Sequence, residues 1–531
     1  MPNHLDHPNQ QFWPNRAHQR WLLGLVLCTA LFLFVARWRE VPIGAVNDDA
    51  IYIEMARSIS EGRGPVIATG PDAEPANPQI FPSGFPLLLS PIAALAPQSL
   101  AFFPFVSLIA AIIVVILSWR ILGPLAPAHL RVMLVIATLL NPWLISWSSR
   151  VLSDLPYTAL SIGALLLFLR TEQQHFRPKK SLVLLVMLCA AAVGLRTIGW
   201  TLVMAISAVL FIQRRRKFGF LFPLAVAALL APLWTWGSQA SGPLTKAYMA
   251  QMFSHHDGAP WRIVLANTKG YIAEIPVLLA PVFSGTAARI FTAHGLGILY
   301  FFLAFASGAV LLALAAKGLK KFLLEPKLTA RAQLFGFYIL FYSIVLSLFN
   351  GYPSGVQTRL LLPLMPILMG LILWGAHNAR FIRGWQLSTV IFCSMIAASL
   401  LHNGWRLAHP LRTSLEVSGH GLVDPEPGAD WIRSNSQNSD IIMTFEPLPK
   451  HLYWRRQTVH FPATISLAEV SDRCQNFGVK FLFICPSVAG APRQLDPSNQ
   501  QMKQLVDSHA ERFLLISEDD REKIYIYRVR R

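Results

Sequence analysis

Long apolar runs are the feature that most constrains the fold of this chain. A spanning α-helix needs about 17–25 mostly apolar residues, and we place eleven such runs. They lie near residues 21–37, 101–119, 131–148, 155–170, 181–196, 198–213, 218–236, 291–316, 334–350, 359–377 and 384–402. Charged residues make up only 14% of the chain, against about 25% in ordinary soluble domains. So few charges cannot cover a soluble globule of 531 residues, and the sequence predicts a polytopic α-helical membrane protein.

The positions of Lys and Arg predict its orientation. The net charge of +18 sits in short clusters between apolar runs, which is typical of membrane topology rather than of nucleic-acid binding. Alternate short loops hold little basic charge beyond Arg150, Arg196 and Arg359. The other loops should be cytoplasmic, which places the N-terminus (1–20) inside and the C-terminus outside. Their basic residues are Arg16, Arg20, Arg120, Arg131, Arg170, Arg177, Lys179, Lys180, Arg214, Arg215, Arg216, Lys217, Lys317, Lys320, Lys321, Lys327, Arg331, Arg380 and Arg383.

Three polar segments should then lie outside the membrane. Within the predicted transmembrane domain, residues 21–403, the outward loops 38–100 and 237–290 are long, and loops of this length are usually functional. Residues 404–531 carry short β-rich runs between helical patterns, which predicts a small α/β extracytoplasmic domain. Cys474 and Cys485 of this domain lack metal-ligand spacing, and the sequence leaves open whether they form a disulfide.

The first outer loop carries the most informative stretch. Asp48 and Asp49 begin an amphipathic helix whose apolar residues recur at every fourth position from Ile51. One interpretation is a capping acid followed by a solvated first-turn acid. The other is a polar cavity, since carboxylates near membrane depth tend to face one. Asp154, expected at the same outer level, favours the second interpretation. The later stretch 87–96 looks too short to span and is predicted to lie along the membrane interface.

Several motifs follow one another along nearly the whole chain. They are Asp48-Asp49, Tyr52, Ala56-Arg57, Glu61-Gly62-Arg63-Gly64, Pro82-Ser83-Gly84-Phe85-Pro86, Ser153-Asp154-Leu155-Pro156, Arg196-Thr197 with Gly199, and Thr358-Arg359-Leu360-Leu361-Leu362-Pro363. Their order resembles the GT-C superfamily of glycosyltransferases, and within it the bacterial protein-mannosyltransferase and aminoarabinose-transferase-like group. Two departures from the family pattern bear on the substrate: the family often has Asp-Glu at Asp48-Asp49 and Pro-Pro at Pro82-Ser83.

The resemblance implies an enzyme of the bacterial inner membrane whose active site faces the extracytoplasmic side. Such an enzyme takes a sugar from a polyprenyl-phosphate donor and transfers it to a glycan, lipid or protein acceptor. The family places the catalytic base at the first acid of the pair, here Asp48, and a carboxylate suits removal of a hydroxyl proton. Asp49 and Asp154 would orient the acceptor, tune the pKa of Asp48 or hold a cation.

Three outer arginines are candidates for the donor phosphate, because guanidinium binds phosphate through two parallel hydrogen bonds. They are Arg196, Arg359 and Arg150. The alternative for each is an ordinary side chain that extends from a helix end toward the membrane surface. The family match favours Arg196 and Arg359.

Further candidates line the expected substrate cavity. Tyr52 belongs to the first motif, and His255, His256 and Glu274 lie in the second long loop. The adjacent histidines lack the spacing of a zinc site, although the family match places one of them near the cavity. If a cation is bound, the oxygen ligands of the three aspartates would suit Mg or Mn better. The sequence leaves metal dependence open.

The sequence is also compatible with two other functions, and it leaves the role of one further motif undecided. A ligase or polymerase would use a lipid-diphosphate donor, and a flippase or transporter would move the carrier without cleaving it. The chain lacks the repeat symmetry and midplane charges that are common in transporters, and it has no nucleotide-binding fingerprint. In the outer domain, Tyr453-Trp454-Arg455-Arg456 would either cover the acceptor or lipid headgroup or form an ordinary aromatic core helix with surface charges.

Overall fold

The computed structural model describes most of the chain. The described residues are 16–38, 43, 48–67, 69–71, 81–97, 99–176, 179–238, 260–279, 295–348, 357–377, 379, 386–408, 428–445, 447–462, 464–486, 495, 497–519 and 523–530. His255 and His256 lie outside them, so the structure says nothing of these two predicted site residues.

Helices make up the membrane domain. Their bounds are α1 Arg16–Ala36, α2 Asp48–Ser60, α3 Gly84–Leu95, α4 Phe105–Ile121, α5 Ala128–Leu139, α6 Pro142–Ser148, α7 Asp154–Gln173, α8 Lys179–Leu195, α9 Trp200–Ile212, α10 Arg216–Ser238, α11 Pro260–Leu279, α12 Gly297–Leu324, α13 Thr329–Leu348, α14 Met365–Ala376 and α15 Leu387–Ala408. Short 3₁₀ segments cover Thr197–Gly199, Pro326–Leu328 and Thr358–Leu364.

Each of the eleven predicted runs coincides with a helix or a helix pair. Among the described residues, five helices are long and apolar enough to cross a membrane, or six if the bent pair α5–α6 is one span. That pair bends by 49°, and the Asn141 side chain caps the second helix by accepting from the backbone amides of Trp143 and Leu144. The protein is therefore a multi-pass membrane protein, and the number eleven stays a prediction.

Two helices of the first outer loop lie beside the spans. The 12-residue α3 is shorter than a spanning helix, as predicted for this stretch. Leu87, Leu88 and Leu95 are exposed on its outer face. At its start, Gly84 lies so close to Gly194 that a Cβ atom would meet the Gly194 carbonyl oxygen at 2.4 Å. This close approach places α3 against the C-terminal end of α8.

The C-terminal domain is built on a five-stranded mixed sheet of order β2-β1-β3-β5-β4. Strands form within residues 404–531, the segment predicted to carry short β-rich runs: β1 Ile441–Thr444, β2 Gln457–His460, β3 Val479–Ile484, β4 Phe513–Asp519 and β5 Ile524–Val529. β1 pairs in parallel with β2 and β3, whereas β5 pairs antiparallel with β3 and β4. Helices α16 Ala429–Asn435, α17 Pro447–Trp454, α18 Leu467–Phe477 and α19 Pro497–Asp507 complete the domain.

The two cysteines of this domain do not form with each other the disulfide that the sequence left open. Cys474 and Cys485 are buried in separate hydrophobic clusters. Burial raises the pKa of the Cys474 thiol to about 12, so that thiol stays protonated and acts as a small apolar side chain.

Candidate functional site

The two adjacent acids at the start of α2 have different environments. Asp48 keeps 25% of its side chain exposed, and its Oδ2 atom pairs with Nη1 of Arg359 at 2.8 Å. Asp49 is buried and accepts a hydrogen bond from the backbone amide of Ala50 at 2.9 Å. The positive end of the helix dipole favours both negative charges. Of the two, Asp48 is the carboxylate that an incoming molecule can reach.

A second acid–arginine pair joins α7 to the turn after α8. Asp154 begins α7, is 3% exposed and forms an ion pair with Arg196. Arg196 precedes the 3₁₀ turn Thr197–Gly199, which closes when the amide of Gly199 donates to the Arg196 carbonyl at 2.8 Å. A Cβ atom at Gly199 would lie 2.7 Å from the backbone nitrogen of Val193. Only glycine fits there, which explains the glycine in the motif that the sequence suggested.

Replacing Gly199 by Ala is expected to destabilise the protein by about 1–3 kcal/mol, the usual cost of overpacking. The new methyl group must push the turn away from α8, which moves Arg196 relative to Asp154. Thermal unfolding of the purified protein measures this change. Gly163→Ala is the control, because its Cβ would lie 3.8 Å from Leu117, an ordinary contact. Equal unfolding temperatures for the two variants would contradict the packing argument.

Tyr52 connects the two acid-bearing helices. Its hydroxyl lies 3.1 Å from Oγ of Ser153, the residue that precedes Asp154. Its ring packs edge-on against Phe81 and Phe85. Burial raises the pKa of Tyr52 to about 12; Arg196 and the hydrogen bond with Ser153 oppose this rise, whereas the Asp48 and Asp154 carboxylates add to it. The side chain is therefore a neutral link that fixes α2 against the start of α7.

Arg359 is held from both sides by its neighbours in the 3₁₀ segment Thr358–Leu364. Thr358 donates a hydrogen bond to Glu274 of α11. The Leu360 carbonyl accepts a hydrogen bond from the hydroxyl of Tyr342 at 2.7 Å. Arg359 itself donates through Nε to the Gln357 side chain at 2.5 Å. These contacts direct the guanidinium toward Asp48.

Glu274 lies beside this segment rather than in either ion pair. Burial raises the pKa of the Glu274 carboxyl, and its hydrogen bond with Thr358 opposes that rise. This arrangement makes Glu274 a supporting group for the segment that carries Arg359.

The structure brings most of the predicted residues into one cluster. Arg359 lies within electrostatic range of Asp154 and Arg196 as well as Asp48. Tyr52 lies within the same range of Asp48, Asp154 and Arg196. Asp48 and Asp154 therefore share a site rather than occupying separate surface patches.

Arg150 has a more local environment. Its guanidinium lies over the ring of Trp147, 4.1 Å from the ring centroid. It also donates to Oγ of Ser146 at 3.5 Å. These contacts favour the interpretation of Arg150 as a helix-end side chain over a phosphate ligand.

Sequence reasoning gave no site role to three polar groups that support the site. Ser153 and Gln357 are small or neutral neighbours of predicted residues, and Tyr342 lies inside an apolar run. The hydroxyl of Tyr342 was the available signal, because polar groups within spanning helices usually face the bundle interior and find a partner there.

Within the described parts of the chain, no group of three or more His, Cys, Asp or Glu residues could hold a metal ion. Asp48 and Asp154 face different guanidinium groups, and Asp49 accepts from a backbone amide. One oxygen of each of these three carboxylates is therefore engaged by a partner other than a metal ion in this arrangement.

A multi-pass helical domain, a mixed sheet and a cluster of acid–arginine pairs at one end of the helices characterise the fold. This fold is similar to those of solved structures of ArnT and AglB, as the resemblance in the sequence predicted. The structure is similar to ArnT from Cupriavidus metallidurans in the apo state, with a TM-score of 0.59, 10% identity, and coverage of 96% of this chain and 98% of that chain.

Two further solved structures share this fold. ArnT from the same organism bound to undecaprenyl phosphate gives a TM-score of 0.56 with the same identity and coverage of both chains. The second is the archaeal oligosaccharyltransferase AglB from Archaeoglobus fulgidus, in complex with an inhibitory peptide and a dolichol-phosphate. Its TM-score is 0.51 at 10% identity, and the match covers 89% of this chain and 70% of that chain. No protein-family model and no curated protein matches the sequence. The comparisons therefore show the fold.

Proposed function

We propose that the protein is a membrane glycosyltransferase that moves one sugar from a polyprenyl-phosphate donor to an acceptor hydroxyl. The observation that carries this proposal is the meeting of Asp48–Arg359 and Asp154–Arg196 in one cluster on an ArnT-like fold. Such a cluster offers a carboxylate to accept a proton and cations to receive a phosphate anion.

The reaction that we propose is a direct displacement. The acceptor oxygen attacks the anomeric carbon while its proton passes to the Asp48 carboxylate. The bond between that carbon and the phosphate oxygen breaks, and its electron pair leaves with the polyprenyl phosphate. Asp48 suits the role of base because it is partly exposed. Asp154 is buried and paired with Arg196, so it suits the role of holding that arginine in place.

Arg359 and Arg196 are the proposed phosphate ligands. Each guanidinium has five N–H donors, so it can bind a phosphate oxygen while part of it still faces a carboxylate. Binding of the donor anion would weaken the pairing of Arg359 with Asp48 and leave that carboxylate available for the acceptor. The solved structures of ArnT with undecaprenyl phosphate and AglB with a dolichol-phosphate support a lipid phosphate as the donor.

The proposal includes the predicted topology of eleven spans with the N-terminus inside and the outer domain outside. In that orientation the cluster lies on the extracytoplasmic side of the bacterial inner membrane. The clusters of Lys and Arg at the opposite helix ends support it.

Mass spectrometry tests the function in two measurements. The first identifies the lipid that co-purifies with the protein, and the second follows that lipid after outer-surface glycan acceptors are added. We expect a polyprenyl monophosphate carrier that loses its sugar to the acceptor. A diphosphate carrier would instead indicate the ligase or polymerase. Movement of intact carrier across vesicle membranes without sugar transfer would indicate the flippase.

A further inference from the structure

The outer domain contacts the first outer loop through the segment 447–458, which we call the docking segment. The Tyr453 hydroxyl donates to the Ile43 carbonyl at 2.5 Å. Arg455 donates to the Pro97 carbonyl at 2.8 Å. The amide of Thr458 donates to the Thr69 carbonyl at 2.9 Å. These three bonds attach the domain to the backbone before α2, after α2 and after α3.

Glu54 lies at the centre of this contact, on the face of α2 away from Tyr52. Tyr52 and Glu54 are two positions apart in sequence, which turns their side chains about 200° from each other around a helix. Glu54 therefore faces the outer domain while Tyr52 faces Ser153. The Glu54 side chain is only 9% exposed. Its Oε1 atom pairs with Arg57 at 2.8 Å, and its Oε2 atom lies 3.6 Å from Nε2 of His451.

A nearly buried carboxylate is costly unless its charge is balanced, and Arg57 supplies the opposite charge at Glu54. His451 belongs to α17 of the docking segment, and its Nδ1 atom lies 2.8 Å from the Arg456 carbonyl. Arg57 also reaches the Pro97 carbonyl, at 3.4 Å, the same oxygen that Arg455 contacts. Helix α2, the end of α3 and the outer domain therefore meet at one polar joint.

The distance along α2 makes this joint relevant to the chemistry. Glu54 and Asp48 are six residues apart, which is about 9 Å along a helix. A tilt of α2 by about 6° would displace Asp48 by about 1 Å, and a misplacement of that size can cost about 100-fold in rate.

We propose that Glu54 is a positioning residue, and that the docking segment uses it to hold α2 at the angle where Asp48 meets Arg359. The inference rests on the proposed function, since sugar transfer is its readout. It also accounts for the Tyr453-Trp454-Arg455-Arg456 motif. Tyr453 and Arg455 attach the domain, while Trp454 is fully buried against Phe483.

A double-mutant cycle tests the joint with Glu54→Gln, His451→Asn and the double variant. We expect each single change to lower kcat about tenfold or more, with KM for the lipid-linked sugar changed less than about threefold. The double variant should be no slower than the slower single variant, because both remove the same coupling. Glu61→Gln, one residue past the end of the same helix, where exposed Glu61 pairs with Arg63, should keep wild-type kcat.

Thermal unfolding of every variant separates positioning from general loss of structure. If Glu54→Gln does not fold, Arg455→Gln removes the attachment at Pro97 without burying an unpaired charge, and it should show the same fall in kcat. The positioning role would be overturned, and the proposed function kept, by either of two results with active wild-type protein. One is a kcat for every joint variant equal to that of Glu61→Gln, and the other is additive losses of kcat in the double variant. Wild-type protein without sugar transfer would overturn the proposed function and this inference together.

Discussion

Replacing Asp48 by Asn should lower kcat for sugar transfer by about 1,000-fold or more, in the range by which general base catalysis accelerates reactions. The amide keeps the shape of the side chain and can still accept a hydrogen bond from Arg359, but it cannot take the acceptor proton. Because the negative charge opposite Arg359 is lost, the guanidinium becomes more available to a phosphate. We therefore expect polyprenyl phosphate to bind as tightly or more tightly. Initial rates of transfer and lipid binding to the same preparation measure both effects.

Asp430→Asn is the matched control for this experiment. Asp430 forms an exposed ion pair with Arg433 in the outer domain, and exposed pairs contribute little. That variant should keep wild-type transfer and donor binding. Unimpaired turnover of Asp48→Asn, with expression verified, would reject Asp48 as the base. Weaker donor binding by Asp48→Asn would reject the idea that Asp48 and the donor phosphate compete for Arg359.

The elements of this fold could be predicted because they depend on local patterns. Apolar length alone located all eleven runs that coincide with helices, and short β-rich runs located the strands of the C-terminal domain. The bend of 49° between α5 and α6 was missed because the apolar run continues through Asn141. That residue caps a new helix by a side-chain contact, which periodicity does not reveal.

The pairing of the site residues could not be predicted in the same way. Asp48 and Arg359 are 311 residues apart, and composition or spacing gives no information on contacts at such separation. The motif order indicated that both lie at the outer side, but the structure was needed to pair Asp48 with Arg359 and Asp154 with Arg196. The joint at Glu54 was missed for the same reason, since its partner His451 belongs to another domain.

Replacing Arg359 by Gln should raise KM for the lipid-linked sugar by about 100-fold, because a charged hydrogen bond to phosphate contributes roughly 1.5–3 kcal/mol. Arg359→Lys should recover only part of this loss, since an ammonium group cannot bind phosphate through two parallel N–H groups. Arg150→Gln is the control, because that guanidinium lies over Trp147. We expect its KM to stay within about threefold of wild type. Steady-state kinetics with varied donor concentration measure all three variants.

The double variant Asp48→Asn/Arg359→Gln separates two explanations of the Arg359 effect. If Arg359 only balances the charge of Asp48, removing both charges at once relieves the unpaired carboxylate, and donor affinity should return to the wild-type value. If Arg359 binds the phosphate, the double variant should bind polyprenyl phosphate as weakly as Arg359→Gln, because the lost donors are not replaced. We expect the second result. Restored affinity in the double variant would leave Arg196 as the phosphate ligand and make Arg359 a partner of the base.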